Sequence, residues 1–122
     1  MTGARGIVVF AHGSRIESAN EAVRKAAAEL ARLGGYQHVE PAFLELGRPD
    51  LEGAVLALAD RGVNTILIIP YFLTLGLHLE RDLPRIAKEI ANKYKGLQIQ
   101  VAPPLDGHPA LVQVLLDRAK NA

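Results

Sequence analysis

Two imidazoles and a carboxylate are the side chains in this sequence best suited to chemistry. His12 stands in Ala11-His12-Gly13-Ser14-Arg15, Glu45 in Leu44-Glu45-Leu46-Gly47-Arg48, and His78 closes the run Tyr71-Phe72-Leu73-Thr74-Leu75-Gly76-Leu77-His78. Neutral imidazole suits divalent Co, Ni, Fe and Zn, and a carboxylate adds charge compensation. Two or three such ligands bind an ion weakly and leave coordination positions open. That is a poor design for a structural metal and a good one for a metal that is handed on. An unperturbed imidazole, with a pKa of about 6.5, also exchanges protons near neutral pH. Cysteine is absent, which excludes disulfides, iron–sulfur clusters, thiolate zinc sites and thiol nucleophiles.

These side chains can act together only if the fold brings them to one edge. The sequence predicts that it does. Gly6–Ala11 is a short, continuous, β-branched run of the kind found in strands covered on both faces. Apolar residues then recur at helical spacing from Ala19 to Leu33, and Gly34-Gly35 ends the helix. His38–Leu46 reads as a second strand interrupted by Pro41, and Pro49 suits the first turn of a helix closed by Gly62. Thr65–Ile69 is the clearest buried strand, followed by a loop over 71–78 and a helix with Leu83, Ile86, Ile90 and Tyr94 on one face. Leu97–Ala102 predicts a fourth strand, and Pro109 opens a helix with Leu111, Val112, Leu115 and Leu116 as its stripe. This alternation predicts an α/β fold of three layers, αβα, around a four-stranded parallel sheet. In such sheets ligands bind beyond the carboxyl ends of the strands. His12, Glu45, His78 and His108 all fall on that edge, while His38 precedes its strand and reads as a surface residue.

Size and charge narrow the classes further. The 122 residues make one domain, 1–122, and 49% hydrophobic content is ample for a core. The 14 Lys and Arg against 13 Asp and Glu leave a formal charge of +1, too little for a nucleic-acid module. Met1–Gly6 lacks the pattern of a secretory leader. The longest apolar stretch, Ile66–Leu77, carries Pro70, Thr74 and Gly76 and falls short of the roughly 20 residues that cross a bilayer. A cytoplasmic protein without membrane attachment is expected.

Each candidate also has a plainer reading. Ser14 and Glu17 fit a capping box, with His12 as an ordinary turn residue. Glu45 either serves the site or pairs with a nearby Arg. His108, before Pro109, reads most simply as a residue of a helix N-terminus. The apolar loop 71–77 either lines a cleft for a flat organic ligand or packs on a neighbouring subunit, and the two are compatible. His12-Gly13 is also similar to the Arg-His-Gly of histidine phosphatases, but Ala11 stands where the phosphate-binding Arg would be. Dinucleotide and Walker glycine fingerprints are missing.

Taken together, Phe10-Ala-His12-Gly-Ser-Arg15, Phe43-Leu-Glu45-Leu with Pro49, and Pro70-x-Phe72-Leu-x-x-Gly76-x-His78-x-x-x-Asp82-x-Pro84 resemble the CbiX-type sirohydrochlorin chelatases. Ala102-Pro-Pro-Leu with His108-Pro109 continues the match, so the resemblance runs in order over essentially the whole chain. It implies insertion of Co2+ into sirohydrochlorin in anaerobic cobalamin synthesis, with Fe2+ or Ni2+ as the alternatives within the family. It implies no tightly bound cofactor, the divalent ion being a substrate. By the same resemblance His12 and His78 are the metal-binding and catalytic pair and Glu45 the assisting carboxylate. The substrate-binding set is then Ser14, Arg15, Arg48 and the loop Tyr71, Phe72, Leu73, Thr74, Leu75, Gly76 and Leu77. Arg81 and Arg85 are further candidates to meet the substrate's carboxylates. The long members of the family carry two such domains, so this chain resembles the short form, for which a homodimer is implied. A noncatalytic metal or tetrapyrrole carrier is the non-enzyme alternative, and a phosphate-binding domain a third.

Overall fold

The two β-branched runs become the central strands of a sheet. In the computed structural model, which describes residues 4–122, the elements run β1 (Ala4–Ala11), α1 (Glu17–Gly34), β2 (Val39–Phe43), α2 (Leu51–Asp60), β3 (Val63–Pro70), α3 (Leu77–Lys93), β4 (Gln98–Val101) and α4 (Pro109–Lys120). The expectation about a leader at Met1–Gly6 falls in part on residues 1–3, which lie outside those described. The four strands pair in the order β2-β1-β3-β4, all parallel. Ile7 to Ala11 of β1 are all buried, as a strand flanked on both sides and covered on both faces requires.

The helices fall on the faces that the strand order dictates. From β1 the chain steps outward to β2, then back across β1 to β3 and on to β4. With right-handed crossovers, that reversal puts α1 on one face and α2 and α3 on the other. The core divides accordingly. Val23 and Ala27 of α1 pack with Val9, Ala11 and Phe43. On the opposite face Leu51, Val55 and Leu58 of α2 and Leu83 and Ile90 of α3 enclose Val8, Phe10, Ile66 and Ile68. Each such fully buried side chain contributes roughly 1.5–3 kcal/mol of hydrophobic transfer. The large ones on the α2/α3 face therefore carry most of the fold.

Several local details differ from the sequence reading. β2 ends at Phe43 and does not continue to Leu46, because the Phe43 N–H donates back to the Pro49 carbonyl at 2.9 Å and closes 44–49 into a loop. Asp50, not Pro49, starts α2: its carboxylate accepts the Gly53 N–H at 2.8 Å. The helix after β3 begins at Leu77, so His78 lies in its first turn and not in the preceding loop. His38 is half-buried, with Nδ1 enclosed and unbonded among the described residues, and is not the surface residue expected. Finally, α4 buries none of its residues. Val112, Leu115 and Leu116 of its apolar stripe are 46–67% exposed. In the sheet, Thr65, Leu67 and Ile69 of β3 stay only half-covered, and Gln98 and Gln100 of β4 are exposed. Among the described residues no helix is long and apolar enough to cross a membrane.

Candidate functional site

The strand order defines where a ligand belongs. β1 sends its chain one way to β2 and β3 sends its chain the other way to β4, which opens a crevice at the carboxyl ends of β1 and β3. The β1 loop carries His12 and the β3 loop carries residues 71–76, with His78 just beyond. The two loops are joined at their roots, where the Tyr71 N–H donates to the Phe10 carbonyl at 2.7 Å. They also meet through rings. The His12 imidazole stands edge-on to Phe72, centroids 6.4 Å apart, and Phe72 in turn packs on Phe10 at 6.0 Å. Phe72 is therefore the wall against which His12 is held.

The exposed His12 ring has a defined polarity. Its Nδ1 lies 3.3 Å from the Gly13 carbonyl, which can only accept, so this contact favours the proton on Nδ1 in the neutral ring. The Nε2 lone pair is left to solvent and is free to bind a cation or take a proton. His78 is arranged the other way. The Arg81 guanidinium, which can only donate, approaches its Nδ1 at 3.2 Å, so the ring accepts there and carries its proton on Nε2. One imidazole thus presents an outer lone pair and the other an outer N–H.

Glu45 comes alongside His12 through the backbone. Beyond the ends of the strands the ladder of β1 and β2 continues, with Leu44 N–H donating to Ala11 (2.9 Å) and Glu45 N–H to His12 (3.1 Å). Gly13 permits this approach: its φ is +94°, and a Cβ there would lie 1.7 Å from the Glu45 carbonyl oxygen. Glu45 does not end a strand: it is exposed on the 44–49 loop and so avoids the desolvation cost of a buried carboxylate. Its alternative, an ion pair with an Arg, is not formed among the described residues. Three or more His, Asp or Glu side chains nowhere come together as a ready-made cation cage among those residues. The site is open.

The cations divide into two groups. Arg81 is turned to His78 and Asp82, and Arg85 to Asp82 and Glu89, so both are occupied on α3. Arg15 and Arg48 are exposed and enter no ion pair among the described residues. Arg48 lines an open groove of about 1000 Å³ with Leu46, Pro49 and Gly53, beside the Glu45 loop. Arg24, on the same groove, lies over the Phe43 ring at 5.4 Å and binds Glu17 at 2.6 Å, holding that carboxyl below its ordinary range. The capping box is not formed. Ser14 Oγ accepts from Ile16 N–H at 3.0 Å, and Ile16 is the N-cap of α1, which starts too late for Ser14 to cap it.

The 71–77 segment is as unusual in space as in sequence. Leu73 and Leu77 are 65% and 85% exposed, and Tyr71 is exposed beside them, while Phe72 and Leu75 are half-buried. Thr74 is exposed, and Gly76 caps α3 through its extended backbone without a side-chain bond. The following loop braces this segment, with Leu105 N–H on the Phe72 carbonyl and Asp106 N–H on the Leu73 carbonyl. His108 takes the plain role expected of it: its Nδ1 accepts the Ala110 N–H and caps α4. The sequence reading missed Phe10–Phe72 as the support of His12, and it missed Asn20. Asn20 lies on the buried face of α1 with Val23 and Ala27, and a polar residue on an apolar stripe was the available signal.

Fold and site together define a doubly wound α/β protein with an open, imidazole-bearing crevice at its switch point, flanked by an exposed apolar loop. The family model described as CbiX matches residues 6–122, and the chain belongs to the CbiX family. Among its relatives, a sirohydrochlorin cobaltochelatase of Sulfolobus acidocaldarius is 34% identical, covering 96% of this chain and 91% of that protein. A chloroplastic sirohydrochlorin ferrochelatase of Arabidopsis thaliana is 30% identical over 97% of this chain. The match spans only 52% of that longer protein. The solved structure of a putative cobalamin biosynthesis CbiX protein from Marinobacter aquaeolei superposes with a TM-score of 0.83 at 27% identity, covering 96% of this chain and 95% of the other.

Proposed function

We propose that this chain is a sirohydrochlorin chelatase that inserts Co2+ into the macrocycle, with residues 1–122 acting as one CbiX-type domain. The observation that carries the proposal is the exposed His12 imidazole, held against Phe72 at the switch-point crevice. The cobaltochelatase named among the relatives is matched over nearly its whole length. In the reaction the ion enters the ring as two pyrrole N–H protons leave, so the protein has to deliver a weakly held cation and accept protons. His12 supplies the lone pair for the metal and Glu45 the compensating charge on the adjacent loop. His78, in the first turn of α3 just beyond the β3 loop, is the second imidazole of this reading. The exposed Tyr71–Leu77 segment meets the flat face of the macrocycle, and Ser14, Arg15 and Arg48 its carboxylates. Ligation requires neutral imidazole, so acidification lowers the rate.

The experiment is turnover with a choice of metal. Protein well below the sirohydrochlorin concentration is mixed with Co2+, Fe2+ or Ni2+, and insertion is followed by absorbance. Many equivalents of product, with Co2+ preferred, are expected. A single stoichiometric equivalent would instead mark a carrier, and preference for Fe2+ would favour the ferrochelatase reading, for which the Arabidopsis relative speaks.

The proposal includes a homodimer in the cytoplasm. Support for the dimer comes from the surface that one chain leaves uncovered: the apolar side of α4, the half-covered β3 and Leu73 and Leu77. Large apolar side chains left exposed on a helix and a loop are of the kind that a partner subunit covers. Light scattering after size-exclusion chromatography is expected to give twice the chain mass. A fully active monomer would overturn the dimer.

A further inference from the structure

Asn20 is the buried polar side chain of the described core, 1% exposed, and no role in the proposed chemistry is assigned to it. Its amide is almost fully used. Oδ1 accepts the Ser14 N–H at 2.9 Å, while Nδ2 donates to the Ser14 carbonyl at 2.8 Å and to the Leu46 carbonyl at 2.9 Å. Both donors are therefore spent on two different loops. Ser14 lies two residues past His12, and Leu46 directly follows Glu45. Leu46 is also the non-glycine residue with a left-handed backbone, φ 57°, a conformation that a leucine adopts only when its surroundings hold it. On the near side the two loops are already joined by Glu45 N–H on the His12 carbonyl. Asn20 closes the far side, from the rigid first turn of a helix.

We infer that Asn20 is the positioning residue for the site, a clamp that fixes the distance and orientation of His12 relative to Glu45. The inference rests on the proposed roles of those two residues. The chemistry of the clamp selects asparagine. Two carbonyls and one N–H must be met at a single buried point, which needs two donors and one acceptor in one plane. Aspartate would set a carboxylate oxygen against two carbonyl oxygens. Leucine would strand three backbone groups, each unmet group costing about 1–3 kcal/mol. A loosened clamp acts on the metal step, because a displacement of about 1 Å in catalytic geometry costs up to about 100-fold in rate. It leaves the apolar loop 71–77 untouched, since that loop hangs from β3 and is braced by Leu105 and Asp106.

The test compares Asn20→Asp and Asn20→Ser with the wild-type chain. Serine keeps a small polar group and leaves room for water to reach the stranded carbonyls, so it guards against simple unfolding. For either variant that folds, judged by circular dichroism and thermal melting, kcat should fall about 10- to 100-fold. The KM for the metal should rise, and the KM for sirohydrochlorin with it, because Ser14 and the loop leading to Arg48, which meet its carboxylates in the proposed function, hang from the same clamp. Co2+ binding to the protein alone, followed by calorimetry, should weaken in parallel. Folded variants with wild-type kcat and Co2+ affinity would overturn the inference. So would activity that merely tracks the folded fraction, or failure of both variants to fold, since either makes Asn20 a determinant of folding only. An inactive wild-type chain would instead remove the function proposed above.

Discussion

His12→Ala is expected to slow metal insertion by about 10²- to 10⁴-fold, the range over which a positioned acid–base group contributes. The melting temperature should scarcely change. The ring is exposed, its Nδ1 meets the carbonyl of the next residue, and it stands at a steep angle to the Phe72 ring. Substitutions at such positions usually shift stability by less than about 0.5 kcal/mol. Rate and stability should therefore separate cleanly in this variant. His78→Ala should also lose rate at little cost in stability, because the Arg81 contact it gives up is exposed. The two variants need not fail alike. If His12 is the side that delivers the ion, its removal raises the KM for Co2+. If His78 mainly exchanges protons through Nε2, its loss lowers kcat with the metal KM little changed. Stopped-flow absorbance across a metal titration measures both, and full rate in either variant would sink its assignment.

That separation between scaffold and site also explains what could be read from the sequence. The central strands were legible because a strand buried on both faces has nowhere to put a polar residue, and Gly6–Ala11 and Thr65–Ile69 contain almost none. The end of α1 was legible because Gly35, at φ 68°, does locally what a left-handed cap requires. The edge bearing His12, Glu45 and His78 followed from the alternation of strands and helices, which puts the carboxyl ends of all the parallel strands on one side. Errors arose where a local pattern was overruled by a distant partner. Ser14 and Glu17 have the spacing of a capping box, yet Asn20 grips both polar backbone groups of Ser14 and the helix starts beyond it. Glu45 reads as the end of an apolar strand, yet the bond from Phe43 to Pro49 folds its segment into a loop. The start of α3 was hidden because Gly76 caps it without a side chain, leaving no residue type to mark it. Asn20 itself meets Leu46 across 26 positions, a pairing that no local window contains. The stripe on α4 was read correctly as apolar. Among the described residues nothing covers it, and an apolar stripe reads the same whether its partner lies in the same molecule or in another.

Gly13→Ala should be the most damaging glycine-to-alanine change among the described residues. The added Cβ would lie 1.7 Å from the carbonyl oxygen of Glu45 and 2.9 Å from its carbonyl carbon, and both are backbone atoms that no rotamer change can move. To make room, the 44–49 loop must part from the β1 loop, breaking the 3.1 Å bond from Glu45 N–H to the His12 carbonyl. The φ of +94° adds the strain of an L-residue in a region that favours glycine. Gly35→Ala separates these causes. Its φ is +68°, but nothing lies within 4 Å of the new Cβ, so it carries conformational strain alone, about 1–2 kcal/mol. Gly13→Ala should exceed it, at about 2–4 kcal/mol. It should also lose insertion rate per folded molecule by about 100-fold or more, since His12 and Glu45 are displaced together. Gly35→Ala, at the far end of α1, should retain that rate. Urea unfolding and chelatase assays on the two variants decide the matter. Equal destabilisation, or a Gly13→Ala protein of normal specific rate, would show that the close approach of these loops is not what the site depends on.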